Sequence, residues 1–205
     1  EKIVNVLQKY PKIYVITDEI YEGLMHTDKF ISIGQYTNLR NRLIIIGGFS
    51  KIYAMCGYRL GYIASCKNII KYINRIQGQT IGCPSSISQN AAMNCFSLGI
   101  DDWINKECEL LVENRNYITN ELDNAGIKYI KPNAAFYIFI EISSFFNVKI
   151  KNSVDFCKFF LDICNIACTP GSAFGNDNYI RICYSTDKNT LKDVIYNLIK
   201  NTRLL

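Results

Sequence analysis

Two apolar runs of the chain are each followed by polar residues that are able to do chemistry. The run 12–17 is followed by Asp18 and Tyr21, and the run 42–49 is followed by Lys51. The β-branched and aromatic character of both runs predicts strands that are buried on both faces. Ligands of open α/β sheets bind beyond the carboxyl ends of the strands. If the two strands are parallel neighbours, a carboxylate, a phenol and an amine meet in one crevice.

Each of these residues also has an explanation without chemistry. Asp18 fits a helix N-cap, Tyr21 a packing residue and Lys51 a surface lysine after a strand. Their combination favours a site, because the glycine pair 47–48 gives close backbone access just before Lys51, and Arg59 follows in a glycine-flanked segment. We therefore interpret the group as one constellation.

The surrounding pattern predicts the elements that position this constellation. Strands alternate with helices in the first part of the chain, which is typical of an α/β layer structure. The strands are expected at 12–17, 42–49 and 59–65, and the helices at 68–77, 84–96 and 101–124. A second, smaller α+β unit follows, with strands expected at 127–130, 135–142, 166–169 and 179–184, and helices at 153–163 and 187–201. The expected domains are residues 1–124 and 125–205.

Short motifs along nearly the whole chain match one protein family in the same order. They are Asp-Glu-Ile-Tyr at 18–21, Gly-Phe-Ser-Lys at 48–51, Gly-Tyr-Arg-Leu-Gly-Tyr at 57–62, Asn-Ala-Ala-Phe-Tyr at 133–137, Pro-Gly-Ser-Ala-Phe-Gly at 170–175 and Tyr-Ile-Arg-Ile at 179–182. The sequence thereby resembles the fold type I aminotransferases that depend on pyridoxal 5'-phosphate, and among them the aspartate and aromatic aminotransferase subgroup. The resemblance implies a mainly parallel, doubly wound sheet in the large domain, followed by a small α+β domain.

The resemblance also implies roles for the cofactor-site residues. Lys51 would form a Schiff base with the cofactor aldehyde and then act as general acid and base. Asp18 would accept a hydrogen bond from the pyridine nitrogen, and Tyr21 would donate one to the ring oxygen. Ser50 and Arg59 would hold the phosphate, the arginine through a bidentate contact.

The implied reaction is ping-pong transfer of an amino group from an L-amino acid to a 2-oxo acid. Arg181 would bind the substrate α-carboxylate; the alternative for this residue is a surface ion pair. The family's active site lies at a homodimer interface. Two other functions remain open at this point: a β-lyase or synthase on the same scaffold, and a non-catalytic fragment or interaction module.

The sequence departs from the family pattern in three respects. Ala135 stands where the family often has glycine, and its methyl group is expected to narrow the pocket or alter the local backbone. Gly48 stands where some relatives carry a phosphate-binding serine. The family's phosphate loop, its ring-stacking aromatic residue and its Asn-Pro-rich segment, which come earlier in the chain, are absent. We therefore expect a C-terminal half that binds the cofactor weakly or not at all by itself.

Composition excludes several other classes of protein. The 205 residues are 49% hydrophobic and 13% aromatic, enough for a sizeable core. The apolar runs are far shorter than the roughly 20 residues of a membrane span. The net charge of +5 comes without a run of basic residues, so nucleic acid binding is not expected.

The nine cysteines and the single histidine do not form a metal-binding pattern. Reduced thiols used as small core residues are typical of an intracellular protein, so a cytoplasmic location is expected, although an organellar targeting segment could precede this chain. Cys164 and Cys168, one helical turn apart, are expected in the core, and His26 is expected on the surface.

Overall fold

The computed structural model describes residues 1–27 and 29–202. The chain divides into two compact units, Glu1–Asn105 and Lys106–Leu205. The helices and strands, in chain order, are α1 (Lys2–Gln8), β1 (Val15–Asp18), β2 (Leu43–Gly48), β3 (Gly61–Ser65), α2 (Lys67–Thr80), α3 (Ser86–Met93), α4 (Ile100–Asn124), β4 (Tyr129–Ile130), β5 (Tyr137–Glu141), α5 (Ser153–Cys164), β6 (Thr169–Pro170), β7 (Tyr179–Cys183) and α6 (Lys188–Thr202). The boundary between the units falls inside α4, whereas the boundary expected from the sequence follows residue 124.

The first unit contains a three-stranded sheet in the order β1-β2-β3. Strands β1 and β2 are parallel, with Val15 opposite Leu43 and Asp18 opposite Ile46, as the site interpretation requires. The α/β class is confirmed. Strand β3, however, runs antiparallel to β2 in this sheet, which was expected to be mainly parallel. Residues 49–60 connect the two strands without an α-helix, whereas parallel strands are usually joined through one.

A small apolar cluster and one arginine fix the start of the first unit. Val4 of α1 is buried against Leu39 and Leu43. The Arg42 guanidinium donates hydrogen bonds to the carbonyl oxygens of Leu7, Tyr10 and Ile13, at 2.8, 2.9 and 2.6 Å. These bonds add to the backbone hydrogen bonds that the carbonyl groups of Leu7 and Tyr10 accept from the N–H groups of Tyr10 and Ile13. They hold the segment that leads into β1.

The second unit contains an antiparallel sheet in the order β4-β5-β7-β6. Side chains of β5 and β7 alternate between the two faces, so Ile138 and Ile180 are fully buried. Helix α5 packs against β6, β7 and α6. The opposite face of the sheet carries Tyr137 and Arg181, which are half-buried. This arrangement is the expected small α+β domain.

The cysteines occupy different environments from those expected. Of the nine, Cys95 is buried, and the others are half-buried or exposed. Cys164 and Cys168 were expected in the core, but both are half-buried; Cys164 is the last residue of α5, and Cys168 lies beyond the helix. His26 is half-buried rather than fully exposed. Among the described residues, no three or more His, Cys, Asp or Glu side chains are placed to hold a metal ion.

Within residues 1–27 and 29–202, no helix combines the length and the hydropathy that crossing a bilayer demands.

Candidate functional site

The end of β1 presents a carboxylate and leads into a tight turn. Asp18 is the last residue of the strand, and its side chain is exposed. Its Oδ1 atom accepts a hydrogen bond from the backbone N–H of Ile20 at 3.3 Å. A bond of 2.9 Å from the N–H of Leu24 to the carbonyl of Tyr21 then closes the turn. Tyr21 therefore projects from a turn directly beyond the strand end.

Lys51 follows the neighbouring strand, β2, and its side chain lies near Tyr21. Its Nζ atom lies 5.9 Å from the centroid of the Tyr21 ring, and both side chains are half-buried. The two turns pack closely, because a Cβ atom at Gly23 would overlap the Ile52 side chain. The structure thus brings the amine and the phenol together, and it places Asp18 at the same edge of the sheet.

Residues 49–60, here called the Lys51 loop, carry both of the residues that were expected to bind phosphate. Cys56 lies between them: its Sγ atom donates to the carbonyl of Ser50 at 2.9 Å, and its own carbonyl accepts from Nη1 of Arg59 at 2.9 Å. The backbone bond from the N–H of Phe49 to the carbonyl of Leu60, at 3.4 Å, closes the base of the loop. Ser50 and Arg59 are therefore linked across the loop through one residue.

Apolar side chains anchor the Lys51 loop. The Phe49 ring packs against Tyr53, Tyr62 and Phe96, with centroid distances of 5.7, 6.1 and 6.2 Å. Met55 is buried and belongs to a core cluster with residues of α3 and of the segment that follows it. These contacts restrict the movement of the backbone on either side of Lys51, which favours a fixed position for its side chain.

The glycine pair before the loop has a packing reason that the sequence interpretation did not include. A Cβ atom at Gly47 would overlap the Tyr62 ring, and one at Gly48 would lie 3.0 Å from Cδ1 of Ile20 and 3.2 Å from Cα of Gly61. The close approach of β2 and β3 therefore requires residues without side chains. A serine in place of Gly48 would need its neighbours to move.

A second phenol and two carboxylates near the site were missed by the sequence reasoning. The Tyr62 hydroxyl donates to Oε1 of Glu22 at 3.2 Å. Burial, with a further contribution from Glu22, raises the pKa of Tyr62. Glu19 is buried and accepts a hydrogen bond from the Thr17 hydroxyl at 3.2 Å. Glu19 and Tyr62 lie inside the matched motifs at 18–21 and 57–62, so the motifs themselves could have pointed to both residues.

Arg181 belongs to the second unit and lies between two aromatic rings. Its guanidinium carbon is 4.3 Å from the centroid of Tyr137 and 4.6 Å from that of Phe174. Among the described residues, one ion pair is present, between Lys188 and Glu113 at 3.5 Å, and Arg181 takes no part in it. The alternative interpretation of Arg181 as a surface ion pair therefore has no support among these residues.

Ala135 adopts a backbone conformation that glycine tolerates better. Its φ angle is +62°, in the left-handed region, and its carbonyl accepts a hydrogen bond from the Tyr184 hydroxyl at 3.2 Å. The departure from the family pattern at this position therefore falls on a backbone conformation that is strained for a residue with a side chain.

Comparisons with known proteins agree with this geometry. The family model described as "Aminotransferase class I and II" matches residues 1–198. The aspartate aminotransferase of Pinus pinaster is 35% identical over 215 aligned positions, which cover 100% of this chain and 44% of that protein. The bifunctional aspartate aminotransferase and glutamate/aspartate-prephenate aminotransferase of Petunia hybrida is also 35% identical, over 98% of this chain and 44% of that protein.

Solved structures give the same result. The crystal structure of the aspartate aminotransferase from Rhizobium meliloti is similar with a TM-score of 0.88 and 30% identity, over 98% of this chain and 52% of that one. The aromatic aminotransferase from Pyrococcus horikoshii gives a TM-score of 0.90 at 28% identity, over 100% of this chain and 55% of that one. This chain spans about half the length of the relatives it matches. The resemblance stated from the motifs is confirmed, and the chain belongs to the class I and II aminotransferase family.

Proposed function

We propose that the protein containing this chain is an aminotransferase that uses pyridoxal 5'-phosphate to move an amino group between an L-amino acid and a 2-oxo acid. The observation that carries the proposal is the position of Lys51, whose Nζ atom lies 5.9 Å from the Tyr21 ring centroid. Both residues lie beyond the carboxyl ends of the parallel strands β1 and β2, and Asp18 is the last residue of β1. Relatives named as aspartate aminotransferases support the proposal and make L-aspartate the first amino donor to test.

The residues of the first unit fit the proposed cofactor. The Asp18 carboxylate is exposed and accepts one hydrogen bond from Ile20, so it keeps lone pairs for a cationic donor. Arg59 is exposed and uses Nη1 for Cys56, which leaves other N–H groups of its guanidinium for an anion. When bound, pyridoxal phosphate supplies an electron-withdrawing ring that stabilises negative charge at the substrate Cα atom.

Each proposed role follows from the chemistry of the side chain. Lys51 binds the cofactor covalently through Nζ, and in its released form the same amine takes and returns the proton at the substrate Cα atom. Asp18 keeps a proton on the pyridine nitrogen through a charge-assisted hydrogen bond. Tyr21 orients the cofactor ring through its hydroxyl. Anchoring of the Lys51 loop limits the reorganisation that these steps need.

The phosphate is proposed to bind between the two arms of the Lys51 loop. Ser50 offers a hydroxyl, and Arg59 offers a planar pair of N–H donors that matches phosphate geometry. Cys56 joins the two residues through its thiol and its carbonyl oxygen. The Ser50 backbone and the Arg59 guanidinium are therefore held before an anion binds, which lowers the entropic cost of binding.

Arg181 is proposed to bind the substrate α-carboxylate. The rings of Tyr137 and Phe174 contact the guanidinium. A guanidinium stacked on rings still presents N–H groups at its edge, where a carboxylate binds in a bidentate manner. A charged hydrogen bond of this kind contributes about 1.5–3 kcal/mol.

We propose further that the complete site needs more protein than this chain. The chain covers 44% of the Pinus pinaster relative, and in α2 the side chains of Tyr72 and Ile76 are 63% and 65% exposed. Ile16 of β1 is 67% exposed. Such apolar surface is typical of an interface with another part of a protein. We infer that a preceding half of the polypeptide covers it, that the complete protein forms a homodimer, and that the isolated chain binds the cofactor weakly.

We also propose that the protein works in a reducing compartment such as the cytoplasm. None of the nine cysteines is in a disulfide. Persistent reduced thiols in this number are typical of proteins that work where thiol reductants are present.

The experiment compares Lys51→Ala with Lys71→Ala in the protein at its natural full length. Lys71 is an exposed residue of α2 and serves as the matched control. Lys51→Ala is expected to lose both the visible absorbance of the bound cofactor and amino-group transfer, whereas Lys71→Ala keeps both. Products are identified with L-aspartate and a 2-oxo acid: a new amino acid supports transfer, while released ammonia indicates a β-lyase. Retention of absorbance and turnover by Lys51→Ala would refute the proposal.

A further inference from the structure

Two cysteines of the second unit lie next to each other although the chain separates them. The Sγ atom of Cys168 donates a hydrogen bond to the Sγ atom of Cys157 at 3.3 Å. Cys157 lies in α5, and Cys168 directly precedes β6. Both residues are half-buried. A disulfide bond is about 2.05 Å long, so the two atoms need to move together by roughly 1.2 Å.

The hydrogen bond makes the two thiols chemically different. Donation from Cys168 lowers the pKa of the Cys157 thiol, although burial opposes this effect. The same hydrogen bond, together with burial, raises the pKa of Cys168. The thiolate is the nucleophilic form of cysteine. Cys157 is therefore the thiol that attacks an oxidant, and Cys168 is the neighbouring thiol that completes a disulfide.

We propose that Cys157 and Cys168 form a redox-active dithiol that hydrogen peroxide converts to a disulfide. The Cys157 thiolate attacks one peroxide oxygen, the O–O bond breaks, and the departing hydroxide takes a proton to become water. Cys157 is left as a sulfenic acid. The Cys168 sulfur then attacks Sγ of Cys157, the S–O bond breaks, and a second water leaves with the Cys168 proton. The two thiols together lose two electrons and two protons, and the peroxide is reduced to two waters.

The dithiol is placed where its oxidation affects the strand that carries Arg181. Cys168 is followed by Thr169, which is paired with Arg181 between β6 and β7. The segment after β6 includes Phe174, which contacts the Arg181 guanidinium. Formation of the disulfide draws the start of β6 towards α5 and so moves the backbone neighbour of Arg181. The expected consequence, which rests on the proposed function of Arg181, is weaker binding of the substrate carboxylate.

The first experiment needs no enzyme activity. The purified protein is treated with a small excess of hydrogen peroxide, remaining thiols are alkylated, and the unreduced peptides are mapped by mass spectrometry. We expect one intramolecular cross-link that joins the Cys157 and Cys168 peptides and disappears with dithiothreitol. Cys164→Ser, a change at a half-buried cysteine of the same helix, serves as the matched control and keeps the cross-link.

Single substitutions separate the two thiols. Cys168→Ser is expected to leave a sulfenic acid on Cys157 that dimedone traps, whereas Cys157→Ser leaves Cys168 unoxidised. If the two peptides remain unlinked while other cysteines oxidise, or if the cross-link joins other residues, the proposed dithiol is wrong.

The second experiment tests the consequence for binding. Peroxide treatment is expected to cause a severalfold rise in KM for the amino acid with a smaller change in kcat, in the wild type and in Cys164→Ser but not in Cys168→Ser. A correct cross-link with unchanged KM would overturn the link to Arg181. If transfer activity is missing altogether, the proposed function fails, and the peptide map still decides whether the dithiol exists.

Discussion

The Arg181 guanidinium carbon lies 4.3 Å from the centroid of the Tyr137 ring, and Phe174 contacts it at 4.6 Å. Stacking of this kind holds a planar guanidinium in one orientation and contributes about 0.5–2 kcal/mol. An ammonium group on a flexible chain neither stacks in this way nor binds a carboxylate through two parallel hydrogen bonds. The identity of the cation therefore matters for the proposed substrate contact.

The first prediction is that Arg181→Lys raises KM for the amino acid by about 10–100-fold, since one charged hydrogen bond contributes about 1.5–3 kcal/mol. Initial rates over a range of amino acid concentrations give this value. Arg75→Lys is the matched control, because Arg75 also lies over a tyrosine ring, Tyr72, at 5.9 Å. Arg75→Lys is expected to leave KM unchanged. An unchanged KM in Arg181→Lys would show that Arg181 does not bind the substrate carboxylate.

The second prediction concerns the backbone at Ala135, whose φ angle is +62°. A left-handed residue other than glycine costs about 1–2 kcal/mol, and glycine costs about 0.5–1 kcal/mol through the entropy of the unfolded chain. Ala135→Gly should therefore raise the free energy of unfolding by about 0.5–1 kcal/mol, measured by urea denaturation. Ala134→Gly, at a neighbour outside the left-handed region, should lower it. A loss of stability in Ala135→Gly would contradict the assignment of strain.

The third prediction is a pH dependence at the start of α5. The Asp177 carboxylate accepts hydrogen bonds from the Ser153 hydroxyl and from the Ser153 N–H at 3.0 Å. These bonds, hydroxyl first, lower the pKa of Asp177 from 3.8. Because the folded pKa is the lower one, the stabilisation is complete above the unfolded value of 3.8 and is lost as the pH falls below it.

Asp177→Asn keeps the shape of the side chain and removes its charge. At neutral pH we expect the variant to be less stable than the wild type, and we expect the difference to shrink as the pH falls below 3.8. Denaturation in urea at several pH values measures it. Asp162→Asn, at an exposed position of α5, controls for the loss of charge alone. A difference that persists unchanged in acid would show that the carboxylate charge does not contribute.

Much of the fold follows from local patterns. The helix expected at 68–77 corresponds to α2, Lys67–Thr80, and the strand expected at 42–49 corresponds to β2, Leu43–Gly48. Periodicity and turn residues report the type of an element well and its ends less well. They contain no information on direction, which is why the antiparallel orientation of β3 was not predicted.

The site was predicted in part for a similar reason. Residues at the end of a strand or a few residues beyond it, such as Asp18 and Lys51, lie near the sheet edge for most conformations of the loops. The bridging role of Cys56 depends on how the Lys51 loop folds back on itself, and the contact between Cys157 and Cys168 depends on how α5 packs against β6. Tertiary packing of this kind leaves no mark in the spacing of residues.

The most direct test of the account asks which amine carries the cofactor. The full-length protein is loaded with pyridoxal 5'-phosphate, treated with sodium borohydride to make the attachment permanent, digested, and mapped by mass spectrometry. We predict that the pyridoxyl group lies on the peptide containing Lys51 and is absent in Lys51→Ala. Labelling of a different lysine under these conditions, or of none, would contradict the central claim.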